Sequence, residues 1–231
     1  MQLNYAHPDL QAARVDELIA MAGQCDGIRC DMAMLLLPDI FQRTWGITPE
    51  PFWPKGTAAV HAKYPAFTFM AEVYWNLEWT LQQQGFAYCY DKRLYDRLRD
   101  RHVGPIRDHL SAGLDYQDKL ARFLENHDEP RAASEFPWPQ HQAAAIITFL
   151  SPGLRFFHQG QFDGARVRVP TPPWPWPRRA DKPRNRRVPY QAIAGSEDGC
   201  VSRRRLVTNP AAACLARRLD LRRLHCLHLG W

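Results

Sequence analysis

The chain has 231 residues, 45% of them hydrophobic, and a formal net charge of +6, which suits one α/β barrel or one to two smaller globular domains. The charge is unevenly placed: residues 171–231 hold 13 Lys+Arg against 4 Asp+Glu, leaving a mildly acidic body with 17 basic and 20 acidic residues. A protein built to neutralise phosphates carries its basic charge on the folded body, so nucleic acid is not the expected partner. The six cysteines make no CxxC pair and no metal-type spacing with histidine, so neither a disulfide framework, a metal nor another cofactor is expected. Met1-Gln2-Leu3-Asn4 lacks the basic and apolar start of a cleavable signal, and no run reaches the ~18 apolar residues of a membrane span. The expectation is a soluble, reduced, cytoplasmic protein with no membrane partner.

In chain order, Pro8 is a plausible first helical residue, Val15, Leu18, Ile19 and Ala22 follow at helical spacing, and Gly23 is a stop. A short strand follows at Gly27-Ile28-Arg29-Cys30. Phe67 to Ala71 is a second strand, nearly continuous in apolar character, as a strand buried on both faces should be. Trp79 to Gln84 reads as helix up to Gly85, Phe86 to Tyr90 as a third strand and Leu120 to Leu124 as a fourth. Gln140 to Leu150 is an Ala/Ile-rich helix, closed by Ser151-Pro152-Gly153 and followed by a fifth strand at Leu154 to Phe157. Strands alternating with helices predict a parallel α/β architecture over residues 1–168.

Different rules govern residues 169–231. Pro170, Pro172, Pro173, Pro175 and Pro177 interleave with Trp174 and Trp176, and arginines cluster at 184–187 and 203–205. This tail reads as a disordered extension; a polyproline II recognition segment and out-of-frame translation of an arginine-rich gene are its other readings.

Three acidic segments end predicted strands: Asp26-Gly27-Ile28-Arg29-Cys30-Asp31, Phe69-Met70-Ala71-Glu72-Val73-Tyr74-Trp75 and Phe123-Leu124-Glu125-Asn126-His127-Asp128. Residues at the carboxyl ends of parallel strands face the active site in barrel enzymes. A lone acid after a strand more often caps the next helix, but three of them, with Arg29 two residues before Asp31 and His127 beside Asp128, form a pattern.

These segments resemble three signature regions of the α-amylase superfamily, glycoside hydrolase family 13. The resemblance aligns Gly27, Arg29 and Asp31 with the Gly-x-Arg-x-Asp of the fourth barrel strand, and Glu72 with the glutamate that ends the fifth. Asn126, His127 and Asp128 align with the Asn-His-Asp of the seventh, and Gly153 to Gln161 with the eighth-strand segment. The implied fold is a partial (β/α)8 TIM barrel, about strands four to eight. The implied activity is that of a retaining glycoside hydrolase or transglycosylase acting on an α-glucan or oligosaccharide. A retaining glycosidase needs a carboxylate nucleophile and a second carboxyl as acid and then base, about 5–5.5 Å apart. The resemblance makes Asp31 the nucleophile and Glu72 the acid/base, with Asp128 on the sugar's 2- and 3-hydroxyls. Arg29 would orient Asp31, and His127, Tyr74 and Trp75 would contact the sugar. For Tyr74 and Trp75, core packing is an equal alternative.

The family's Asp-x-x-x-x-Asn-His signature is absent, and Met32-Ala33-Met34-Leu35 stands where many starch-cleaving members carry Lys-His. The expectation is therefore a truncated member whose open sheet edges favour self-association. The alternative is a catalytically inactive gene fragment or carbohydrate-binding remnant.

Overall fold

The structure, a computed structural model, describes residues 2–169, so the expected disordered tail lies outside the described residues. Chain contacts divide it into two units: residues 2–90 with Lys119–Ala121, and Asp91–Asp118 with residues 122–169.

The first unit opens with helix α1, Pro8–Ala22. Pro8 occupies the first turn, where its missing N–H costs nothing, and Gln11, Val15, Leu18 and Ala22 form the buried face. Strand β1, Gly27–Cys30, runs into a 3-10 turn at Ala33–Leu36. Helix α2, Pro38–Trp45, stops at Gly46 in the left-handed conformation, and α3, Phe52–Lys63, follows. Strand β2, Thr68–Ala71, helix α4, Glu78–Gln82, and strand β3, Tyr88–Tyr90, complete the run.

Neither α2 nor α3 follows from the sequence reading, and α3 shows why. It holds Pro54 and Gly56, both helix breakers by propensity. Pro54 falls in the first turn, where backbone donors have no intrahelical partner. Gly56 lets α3 approach α1, since a Cβ there would sit 3.2 Å from the Leu18 side chain. The core between the helices and the sheet includes Val15, Leu18, Met34, Phe52, Trp53, Val60, Phe69 and Phe86. Edge-to-face contacts link Phe52 to Trp53 at 5.1 Å, and Trp53 to Phe86 at 4.9 Å, the geometry aromatic quadrupoles prefer. The Trp53 indole N–H donates to the Ala33 carbonyl at 2.8 Å, which ties α3 to the turn after β1.

Strands β1, β2 and β3 pair in parallel, with Gly27 opposite Thr68, Cys30 opposite Ala71, and Ala71 opposite Cys89. β4, Leu120–Arg122, pairs with β3 in parallel, and the strand order is β1-β2-β3-β4-β5, where β5 is Leu154–Arg155. Every strand from the sequence reading is present, each as long as or shorter than expected. The fold is a partial (β/α)8 barrel.

The second unit contains α5, Lys92–Arg99, α6, Val103–Leu110, α7, Leu114–Gln117, α8, Ala132–Glu135, and α9, Trp138–Leu150. The Phe156 N–H donates to the Arg122 carbonyl at 2.9 Å, which sets β5 beside the end of β4. A buried polar network holds the helices to this point. The Arg122 guanidinium donates to Asp91 Oδ2 at 2.6 Å, to the Pro152 carbonyl at 2.5 Å and to Gln117 Oε1. Asp91 also accepts the Leu94 N–H at 3.1 Å, capping α5, and contacts His109 Nε2 at 2.9 Å. A buried charge is tolerated only when such partners surround it.

Two outcomes follow from this packing. A Cβ on Gly27 would lie 2.5 Å from the Thr68 carbonyl oxygen, so Gly27→Ala should lower stability by about 1–3 kcal/mol, read from urea unfolding. Burial in α9 pushes the His141 imidazole below its ordinary range, with Glu125 acting weakly the other way. The unfolded chain then binds the proton more readily. The contribution is fully present above the unfolded pKa of about 6.5 and is lost as pH falls through it toward the folded value. Melting temperatures measured between pH 8 and 5 should fall on the acid side, and His141→Phe should flatten that fall.

Candidate active site

Along β1, side chains alternate between faces, so Arg29 and Asp31 point the same way. The pairing of Cys30 with Ala71 continues one residue further, because the Glu72 N–H donates to the Cys30 carbonyl and the Ala33 N–H to the Glu72 carbonyl, both at 3.0 Å. Register alone therefore brings Asp31 and Glu72 to the carboxyl ends of neighbouring strands.

One guanidinium joins the two acids. Arg29 Nη1 lies 2.5 Å from Asp31 Oδ1, and Nη2 lies 2.9 Å from Glu72 Oε2, the latter as an ion pair outside hydrogen-bond alignment. The fixed size of the guanidinium fork holds those oxygens within about 8 Å of each other, a ceiling that admits the retaining separation of about 5–5.5 Å. Burial works against the Arg29 charge, but the Tyr90 phenol, the Glu72 carboxylate and the hydrogen bonds to Tyr90 and Asp31 outweigh it and push its pKa up. The Tyr90 ring lies 5.6 Å from the guanidinium carbon, close enough for a cation–π contribution.

The two carboxylates differ in environment. The Asp31 side chain is 75% exposed and that of Glu72 4%. Glu72 Oε2 accepts the Met32 N–H at 2.9 Å, with Met32 in the left-handed conformation (φ 42°), and Oε1 accepts the Tyr74 hydroxyl at 2.9 Å. Tyr74 is half-buried against the core, whereas Trp75 is 60% exposed. The structure places these two aromatics differently: Tyr74 packs against the core and donates to Glu72, while Trp75 is largely exposed. Between Arg29 and Asp31, burial pushes the Cys30 thiol up to about 12, which keeps it un-ionised and unreactive.

In the second unit, His127 Nε2 and Asp128 Oδ2 lie 3.1 Å apart, both partly exposed. Asn126 is buried and shapes the turn, its Oδ1 accepting the Asp128 and Glu129 N–H groups at 2.9 Å each. The loop is anchored by Glu125, which the sequence reading passed over. Its Oε1 accepts from Arg131 at 2.7 Å and its Oε2 from the Ala132 N–H at 2.7 Å. Arg131 also reaches His158 Nδ1 at 2.8 Å and the Gln159 carbonyl at 2.7 Å. The only advance signal for Glu125 was its place directly before Asn126. Among the described residues, no three His, Cys, Asp or Glu side chains gather as a metal ion would require.

Comparison with known proteins bears on this arrangement. The chain is 24% identical over 236 residues to the α-amylase MalA of Haloarcula japonica, covering 90% of this chain. An α-amylase from Lactobacillus plantarum superposes with a TM-score of 0.55 at 25% identity, over 73% of this chain and 43% of that one. The chain is related to the α-amylase superfamily. This α-amylase relative also superposes on the acarbose-complexed α-amylase of Geobacillus thermoleovorans, with a TM-score of 0.55, 18% identity and coverage of 71% and 39%. It spans 34% of the length of MalA. No protein-family model matches it.

Removing the shared cation should expose the cost of burying Glu72. Arg29→Met should lower stability by about 3 kcal/mol, because breaking a buried pair strands the remaining charge. Adding Glu72→Gln to that variant should recover part of the loss in urea unfolding.

Proposed function

We propose that this chain carries the nucleophile and acid/base half of a retaining α-glucan glycoside hydrolase or transglycosylase. The observation that supports this most is the shared Arg29, which holds two carboxylates at the ends of adjacent parallel strands in a relative of the α-amylases.

In this reading Asp31, open to solvent, attacks the anomeric carbon and forms a β-glycosyl ester. Glu72 gives its proton to the departing glycosidic oxygen, then takes one from the incoming water or sugar hydroxyl. Arg29 aims the Asp31 oxygen and sets a cation beside it. By the family resemblance alone, Asp128 is assigned to a sugar's 2- and 3-hydroxyls and His127 to a sugar hydrogen bond, and the exposed Trp75 offers an aromatic surface to a ring. The expected substrates are α-glucans and their oligosaccharides.

Two variants divide the roles. With maltooligosaccharides as substrate, Asp31→Asn should lose at least about 10³-fold in turnover, and Glu72→Ala about 10²–10⁴-fold, the range expected for a general acid. With α-maltosyl fluoride, whose leaving group needs no proton, Glu72→Ala should keep its first step, and added azide should yield the α-glycosyl azide. A variant at either position that cleaves as well as the wild-type chain contradicts the assignment. Acarbose binding by a wild-type chain with no turnover identifies the carbohydrate-binding alternative.

A further inference from the structure

The proposed acid has no free oxygen. Both faces of the Glu72 carboxylate are taken, Oε2 by the Met32 N–H and Arg29, and Oε1 by the Tyr74 hydroxyl. Its side chain is 4% exposed. A carboxyl that must reach a glycosidic oxygen needs one of these donors to leave first.

The donors are not equally free to leave. Arg29 lies within β1, and Met32 follows it by two residues, in a segment tied to β2 by the Glu72 and Ala33 backbone hydrogen bonds. The Met32 N–H cannot withdraw without breaking those bonds, and the Arg29 guanidinium is held besides by Asp31 and the Tyr90 ring. Tyr74 stands outside the sheet, at the start of a turn in which the Leu77 N–H donates to the Tyr74 carbonyl at 3.3 Å. Directly after it, Trp75 and Asn76 are both left-handed, with φ of 62° and 63°. Asn adopts that conformation readily, but Trp does so under strain. Strain of the kind Trp75 carries clusters at ligand clamps and switch segments, where its release is part of the mechanism.

We propose that Tyr74 is a positioning residue that latches Glu72. In the resting state its hydroxyl holds Oε1 and shields the carboxylate from water. When a sugar arrives against Trp75, the strained turn relaxes and Tyr74 swings away; Oε1, freed of its donor, takes a proton from water and passes it to the glycosidic oxygen. The latch rests on the reading of Glu72 as the acid, but its geometry is tested without any turnover.

The test labels carboxyls of the full-length chain with a water-soluble carbodiimide and glycine ethyl ester, with rates for the Asp31 and Glu72 peptides followed by mass spectrometry. In the wild-type chain Asp31 should be labelled at least ~10-fold faster than Glu72, as the difference in exposure requires. Tyr74→Phe, which loses only the hydroxyl, should raise the Glu72 rate several-fold while the Asp31 rate stays unchanged and the chain stays folded by circular dichroism. Tyr74→Met, which removes the donor and keeps apolar bulk, replaces it if the Phe variant does not fold. Asn76→Gly, which keeps the hydroxyl contact, should leave Glu72 as slow as in wild type. The latch is overturned if Glu72 is labelled as fast as Asp31 in the wild-type chain. It is equally overturned if loss of the Tyr74 hydroxyl leaves the Glu72 rate unchanged. Failure of the acid role would appear instead in the Glu72→Ala kinetics, so the two ideas stand or fall separately.

Discussion

The Arg29 guanidinium is the contact on which the candidate site depends. It places a cation between an exposed aspartate and a buried glutamate at the ends of neighbouring strands. Without it the two carboxylates would repel, and the buried one would have only neutral donors. The contact exists only because β1 and β2 pair in one register, with Cys30 opposite Ala71. A slip of one residue would turn Arg29 and Asp31 to the opposite face of the sheet. Gly27 protects that register at the other end of the strand, where a side chain would strike the Thr68 carbonyl.

The second unit solves the same problem with a different pair of cations. Arg122 and Arg131 are both nearly fully buried, and each collects carboxylate, carbonyl and side-chain partners from segments distant in sequence. Such networks are worth little as net stabilisation against an apolar core, but removing one member strands the rest. Their effect is geometric. Arg122 fixes where α5, α7 and the segment after α9 meet, and Arg131 fixes the Glu125 end of the loop that carries Asn126, His127 and Asp128.

Two carboxylates in contrasting environments suit the proposed division of labour, in which one attacks and the other moves protons. Asp31 is open to solvent, and Glu72 is withdrawn from it. The departure from a starch-cleaving pattern at Met32 to Leu35 has a counterpart in the structure: Met34 is fully buried and Ala33 nearly so. That segment packs into the core, and its backbone, through the Met32 N–H, serves Glu72.

The sequence by itself determined the alternation of strands and helices and the identity of the acids that follow the strands. These are local properties: largely apolar runs of four or five residues, Pro8 and Gly23 at the helix limits, and an acid directly after each of the first four runs. The helices α2, α3, α5 and α6 did not enter the sequence reading, for different reasons. In α3, Pro54 and Gly56 break the helical pattern and tertiary contacts decide the outcome, whereas α5 carries a local signal, with Asp91 as its cap and Leu94, Tyr95 and Leu98 at helical spacing. The different placement of Tyr74 and Trp75 was also beyond the sequence, where both are aromatic residues after a glutamate. Only the fold decided it, because the turn after β2 sends one ring inward onto Glu72 and the other out into water. Glu125 and Arg131 stayed hidden for a related reason: a buried ion pair is specified by two positions meeting in space, and neither residue alone carries a sign of the other.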